Sequence, residues 1–335
     1  MSENVVSSGN ITEAANPQGG LASQPITAFA GNPKKKRFTK KHLFIILMLA
    51  YPVLHFLIMW VFVNIDSILL TFKTSKLNME TFTEIESWGF DNYTRFFNNL
   101  RIPGGEYQTI LINSLIYIPV TCFITLPLSI FASYFIFKKI KWGTGFRVIF
   151  FLPSIMPLIV LAMAFQLSLD PDIGIMGALF KFLGAEMPEW LKSASGTQSI
   201  YLFCVWAGIG YNVILIGGAM ARIPKGIIEY CKLEGVGSMR ELFQIVIPLS
   251  WPTITTVFIL GLMSFFTVYL QPLFLRQSRL DSMTLALKIF NQAGNVSIGP
   301  LAEVATLGLM ISLIGAPIIM FIRWLLNKCF AGIEF

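Results

Sequence analysis

The sequence predicts an all-α membrane protein with six transmembrane helices, and three observations carry that prediction. The composition is strongly apolar: 55% of the 335 residues are hydrophobic, 13% are charged and mean hydropathy is +0.68, beyond the range of an ordinary soluble domain. Six segments, residues 43–63, 110–137, 148–169, 200–220, 253–275 and 304–326, reach the ~20 mostly apolar residues that a helix needs to cross a bilayer. Charge then sorts the connecting segments into two classes. Those that would share a side with the termini hold 16 of the 25 basic residues and six of the 18 acids, so the two faces differ as +10 against −3. Basic residues beside span ends stay in the cytoplasm, so both termini are expected inside. The net charge of +7 therefore reports topology, with membrane lipids as the surroundings and no nucleic acid as a partner.

Residues 1–40 open with Ser, Asn, Gly and Ala and end in Lys34, Lys35, Lys36, Arg37 and Lys40. They bury too little apolar area to offset chain entropy and read as a disordered basic cytoplasmic tail. The first apolar run is too long for a signal peptide and lacks a small-residue cleavage site, so it is expected to remain as an anchor. The membrane domain then covers residues 41–328, and 329–335 form a short cytoplasmic tail. Outside the membrane, 64–109, 170–199 and 276–300 are expected to be irregular, with one short interfacial helix in the aromatic stretch Trp88 to Phe97. Pro52, Pro119, Pro127, Pro153, Pro157, Pro272 and Pro317 lie within spans, where each removes a helical hydrogen bond and tends to bend its helix. Cys122, Cys204, Cys231 and Cys329 show no metal or redox spacing and read as free thiols. His42 and His55 read as packed or interfacial side chains.

The polar segment 222–250 is the most informative stretch. Pro224 suits a first helical turn, because it gives up only an amide that would go unpaired there. Gly235 and Gly237 permit the positive φ of a sharp turn. Ser238 and Glu241 have the spacing of a capping box, so a second helix should begin at Ser238. Pro248 should push Ile247 out of the α region and end that helix before the next span. The expectation is a compact helical knob held against the cytoplasmic face.

This segment resembles the EAA loop of permease subunits in binding-protein-dependent ABC importers. Glu229-Tyr230-Cys231 takes the place of the Glu-Ala-Ala triplet, Glu234 that of the usual Asp, and Gly235, Phe243 and Ile245 to Pro248 complete the pattern. Both small alanines are replaced by larger residues, Tyr230 and Cys231. Further matches are Phe90-Asp-Asn-Tyr93, Asn113-Ser114, Phe146-Arg147 with Pro153, and Asp170-Pro-Asp-x-Gly174, which look most like the sugar-importing, maltose-type branch. The resemblance covers about residues 40 to 328. It implies a type I ABC importer permease fold, a homologous second permease, a cytoplasmic ABC ATPase dimer and an extracytoplasmic substrate-binding protein. The residues it assigns to ATPase coupling are Glu229, Glu234, Gly235, Ser238, Arg240, Glu241, Phe243 and Pro248.

No Gly-x-x-x-x-Gly-Lys-Ser/Thr cradle for a nucleotide occurs, so ATP would be hydrolysed by a partner and the chain itself is expected to be non-catalytic, without cofactor or metal. Charge is nearly absent from span centres, which argues against an ion-coupled carrier and fits a neutral, hydroxyl-rich solute such as an oligosaccharide. A carbohydrate needs amides or hydroxyls for its OH groups and aromatic faces for its C–H surfaces. The fourth and fifth spans offer Trp206, Gly208, Tyr211, Asn212, Ser264, Thr267, Tyr269 and Gln271. Alignment with the maltose-type pattern adds Cys204 and places Gly208, Tyr211, Ser264 and Thr267 on the path as well. An ion-coupled secondary carrier and an ABC permease for another solute, such as glycerol phosphate, are the alternatives.

Overall fold

A computed structural model describes residues 40–78, 83–192, 196–294 and 297–329. The N-terminal tail expected to be disordered and the short C-terminal tail lie outside these residues, apart from Lys40 and Cys329. The chain divides into two units, residues 1–58 and 59–335. In the first, the described part is the start of helix α1 (Lys40–Leu70), whose large apolar side chains are exposed, as expected of a span that faces lipid. His55 lies there with its ring 6.1 Å from that of Tyr51.

The second unit continues through α1 into an antiparallel hairpin, β1 (Lys73–Asn78) and β2 (Thr83–Trp88), with Lys73 opposite Trp88. The sequence reading had no strand, so this hairpin is an addition to the all-α expectation. It is followed by α2 (Asp91–Arg101), the interfacial helix expected near Trp88 but displaced past it. The Phe90 to Tyr93 motif has a structural reason: Asn92 is buried and donates to the carbonyls of Thr71 and Lys73 at 3.0 and 2.8 Å, while Phe90 and Tyr93 pack on Phe72.

The second span is α3 (Glu106–Pro119), a π-helical stretch over Val120–Thr125, and α4 (Leu126–Phe137). The third is α5 (Gly143–Ile155) and α6 (Leu158–Ser168), bent by 109° between them. Met156, preceding Pro157, is extended, as sterics require before proline. Among the described residues five helices are long and apolar enough to cross a bilayer, and there are six if the bent pair is counted as one span. The short α7 (Ile175–Phe182) follows, then α8 (Gly196–Met220), which packs along α4 and α5. At Gly210 α8 lies close against α5; an added Cβ would lie 2.0 Å from the Phe150 carbonyl oxygen.

The fifth span departs from expectation. After α9 (Lys225–Leu233) and α10 (Ser238–Glu241), a π-helical turn over Leu242–Val246 leads without interruption into α11 (Ile247–Leu262). Ile247 keeps helical angles and its N–H bonds the Leu242 carbonyl five residues back. The wider π turn absorbs the ring and missing donor of Pro248, so the proline does not end the helix. The stretch before Pro127 does the same: Leu126 N–H bonds the Thr121 carbonyl. Beyond Leu262, where 253–275 was expected to be one span, the chain breaks into α12 (Ser264–Thr267) and α13 (Leu270–Arg276). Helices α14 (Leu285–Ala293) and α15 (Ile298–Cys329) complete the unit.

Candidate functional site: the loop between the fourth and fifth spans

The candidate knob is built from α9 and α10. Pro224 is the N-cap of α9, one position ahead of the expected first turn. At the other end Gly235 has φ +67°, Val236 N–H bonds Cys231 O at 2.9 Å and Gly235 N–H bonds Lys232 O at 3.2 Å, the paired bonds of a Schellman stop. A Cβ on Gly235 would meet nothing within 4 Å, so its backbone angle and not crowding requires glycine. Gly237 has φ −64° and is an extended N-cap, which corrects the expectation that it too is left-handed.

The capping box does not form. With Gly237 in the cap position, Ser238 is already helical and its side chain makes no cap bond. Glu241 turns inward, 1% exposed, and accepts two hydrogen bonds from Lys138 Nζ, at 2.9 and 2.7 Å. Lys138 follows the last residue of α4. Burial alone would lower the Lys138 pKa, but the hydrogen bond it donates to Glu241 and the charge of its neighbours outweigh that and raise it above the ordinary lysine value. Tyr134, one turn earlier, donates to the Ser238 carbonyl at 2.8 Å. The root of the knob thus has two polar ties to the second span. The sequence reading missed Lys138 and Tyr134, since their partners lie over 100 residues away.

Beneath these ties is a shared apolar core. Leu126 and Tyr134 of the second span, Ile216 and Met220 of α8, Ile228 of α9, Leu242 and Val246 of the π turn and Ile254 and Val257 of α11 are all buried together. Cys231 is buried, so the replacement of a small residue there faces inward. Tyr230 is exposed, as are Leu233 (87%), Met239 and Phe243. Four large exposed apolar side chains within fourteen residues, over α9, α10 and the π turn that follows, make this segment a candidate interaction surface. Of the assigned coupling residues, Glu229 and Glu234 are exposed, Arg240 donates to Gln244 Oε1 at 2.9 Å, and Phe243 rests edge-on against Phe131. Pro248 is half-buried in the first turn of α11.

The candidate path residues divide. Cys204 packs half-buried against the cluster of Tyr117, Leu161 and Phe203. A Cβ on Gly208 would lie 3.3 Å from Thr125 Cγ2, so this glycine lets α8 approach the π stretch. Ser264 is buried, 3.3 Å from the Thr121 hydroxyl, which also donates to Gly261 O at 2.9 Å. Tyr269 rests on Phe290, with ring centroids 5.0 Å apart. Tyr211 and Thr267 are exposed; Asn212 and Gln271 are half-buried; Tyr211, Asn212 and Gln271 have no hydrogen-bond partner among the described residues.

At the opposite end, Lys288 of α14 is buried 2.7 Å from Glu106 and 3.6 Å from Glu303, with its ammonium over Tyr107. Sequence spacing gives no sign of this cluster. Asn113 and Ser114 staple α3 to the same region: Asn113 donates to Asp281 O and Met283 O, and the Ser114 hydroxyl accepts from Leu285 N–H at 2.7 Å. Asp170 accepts from the backbone N–H groups of Asp172 and Ile173, which hold its carboxyl below the usual range.

Comparison with known proteins identifies the family and the fold. The chain is 27% identical over 135 residues to the probable ABC transporter permease protein YurN of Bacillus subtilis, covering 39% of this chain and 46% of that one. It is 24% identical over 216 residues to the arabinooligosaccharides transport system permease protein AraP of Halalkalibacterium halodurans, covering 62% and 65%. The chain thus spans about half to two-thirds of the length of these curated relatives. A chain from the crystal structure of a bacterial alginate ABC transporter, in complex with alginate pentasaccharide-bound periplasmic protein, superposes with a TM-score of 0.73 at 16% identity, over 87% of this chain and 96% of that one, and so shares the fold. Residues 125–329, which include both helices of the knob and its tie to the fifth span, match the binding-protein-dependent transport system inner membrane component family, and the chain belongs to that family.

Proposed function

We propose that this chain forms half of the translocation pathway of an ATP-driven oligosaccharide importer, coupled to a separate ATPase through α9 and α10. The observation that carries this is the exposed apolar knob of Tyr230, Leu233, Met239 and Phe243, rooted in a core that α4, α8 and α11 share. Any force on that knob reaches three spans at once. ATPase closure would pull the knobs of this chain and of a homologous second permease together, and the bent helices would rock from inward- to outward-facing.

The relatives' names support a carbohydrate: one concerns arabinooligosaccharides, and the structural neighbour holds an alginate-loaded periplasmic protein, in keeping with an extracytoplasmic binding protein here. Tyr211, Asn212 and Gln271 leave hydrogen-bonding groups unused among the described residues, in keeping with a path completed by a second chain. No Lys or Arg is among the path residues, which disfavours an anionic solute such as glycerol phosphate. On this reading both termini and the knob are cytoplasmic and the chain hydrolyses no ATP.

The test is uptake by proteoliposomes containing this chain, its second permease, the ATPase and the binding protein. Accumulation of an oligosaccharide should require ATP and all four components. Uptake that continues without the ATPase would establish an ion-coupled carrier instead.

A further inference from the structure

A cleft of about 650 Å³ opens beside the knob, between the ends of α4 and α8, the start of α5 and one face of α9. Its walls carry Lys138, Lys139, Arg147, Lys225 and Lys232, against the single carboxylate of Glu229. Glu241 neutralises Lys138, whereas the other four cations enter no ion pair among the described residues. The cleft therefore offers four cations to one acid in a concave space, where field lines concentrate. Lys225, Glu229 and Lys232 share one face of α9 at helical spacing, the exposed apolar residues Tyr230 and Leu233 do not line the cleft, and of the assigned coupling residues only Glu229 does.

Two further observations select the ligand. The remaining walls are apolar, with Ile136, Phe137, Val213 and Ile214 leading up the sides of α4 and α8. Three residues past Lys139 stands Trp142, 77% exposed, in the left-handed conformation that starts α5. An exposed tryptophan among lysines at a span end belongs at headgroup depth. A site with cations at the mouth, apolar walls behind and an interfacial aromatic beside it matches a phosphate carried on an acyl-chain body. The geometry points to a binding site for the phosphate of an anionic phospholipid, held between α4, α8 and α9. The assignment rests on the cytoplasmic placement of the knob but not on the solute or on ATPase coupling.

The experiment uses the assembled transporter in detergent, equilibrated with mixed phosphatidylglycerol and phosphatidylcholine and read by native mass spectrometry. Wild type should retain phosphatidylglycerol preferentially, and K139Q/K225Q/K232Q should lose that preference by about tenfold or more. The corresponding triple arginine variant should keep it, as should Lys141→Gln, which removes a cation outside the cleft. Equal retention by the triple glutamine variant and wild type would overturn the site. Displacement of the lipid by millimolar inorganic phosphate would assign the cleft to a soluble phosphate instead. Release of the ATPase subunit from the triple glutamine variant would show that these lysines face that partner, which would also overturn the assignment. ATP-dependent uptake, measured in parallel, tests the coupling reading separately.

Discussion

Lys138 Nζ sits 2.7 Å from Glu241 Oε2, joining the end of α4 to the root of α10 across 103 residues of sequence. The carboxylate is buried and the ammonium is largely so. Removing one partner leaves the other as an uncompensated buried charge, a change that costs about 3–5 kcal/mol when burial is complete and less here, since Lys138 retains some solvent contact. Lys138→Met should therefore lower the thermal midpoint in detergent, and pairing it with Glu241→Gln should recover part of the loss. A double-mutant cycle that gives no coupling between the two positions would refute the tie.

The same pair has a defined pH dependence. The folded pKa of Lys138 is raised, so its stabilising contribution is complete below the ordinary lysine value and disappears only as pH rises through the higher folded value. Wild type and Lys138→Met should differ by a constant amount through the neutral range and converge in strongly alkaline solution. A difference that persists undiminished in strongly alkaline solution would mean that another group carries the effect.

Gly235 is required for its φ of +67° and not for space. Gly235→Asn, which tolerates that region, should retain most ATP-dependent uptake, whereas Gly235→Val should lose it while still inserting in the membrane. Strain of about 1–2 kcal/mol in a two-turn knob displaces the surface without unfolding spans. Equal uptake by the two variants would remove the turn from the coupling argument.

These two features mark how far the sequence could be read. Gly235 was legible because turn chemistry is local: the glycine, its spacing from α9 and the Schellman bonds lie within six residues. The role of Glu241 was not legible, because the local option, a capping box with Ser238, competes with a lysine brought in by the packing of α4. A full opposite charge in a buried setting outbids a cap bond to a backbone amide. Proline shows the same division. Met156 obeyed the rule for a residue before proline, whereas Ile247 escaped it through a π turn whose extra residue no pattern announces. Hydrophobic length located the spans, but it could not reveal the 109° bend after Ile155 or the break after Leu262. Chemical type and the maltose-type pattern selected the path residues, but neither announces the intrachain neighbours of Cys204, Gly208 and Ser264, because periodicity does not say which neighbour a face meets.

Leu233 tests the knob as a docking surface. At 87% exposure its replacement cannot disturb the core, so Leu233→Asp should leave thermal stability of the isolated chain within about 0.5 kcal/mol. Capture of the ATPase subunit should fall by about tenfold or more, as for an anchor residue at an interface. Unchanged capture, with Phe243→Asp equally silent, would move the docking surface elsewhere.

Gly210 and Gly217 lie two turns apart on α8 but face different surroundings. A Cβ at Gly210 would stand 2.0 Å from the Phe150 carbonyl oxygen and 2.6 Å from Ser154 Oγ, whereas one at Gly217 would meet nothing within 4 Å. The obstacle at Gly210 is mainly backbone of α5, which cannot rotate aside as a side chain could. Gly210→Ala should force α5 away from α8 and cost about 1–3 kcal/mol. Gly217→Ala should be neutral or mildly stabilising, because alanine loses less backbone entropy than glycine in a helix. Thermal unfolding of both variants in the same detergent decides the matter: a Gly210→Ala midpoint equal to wild type would mean that α5 is free to yield, and the close packing of the third and fourth spans would lose its structural role.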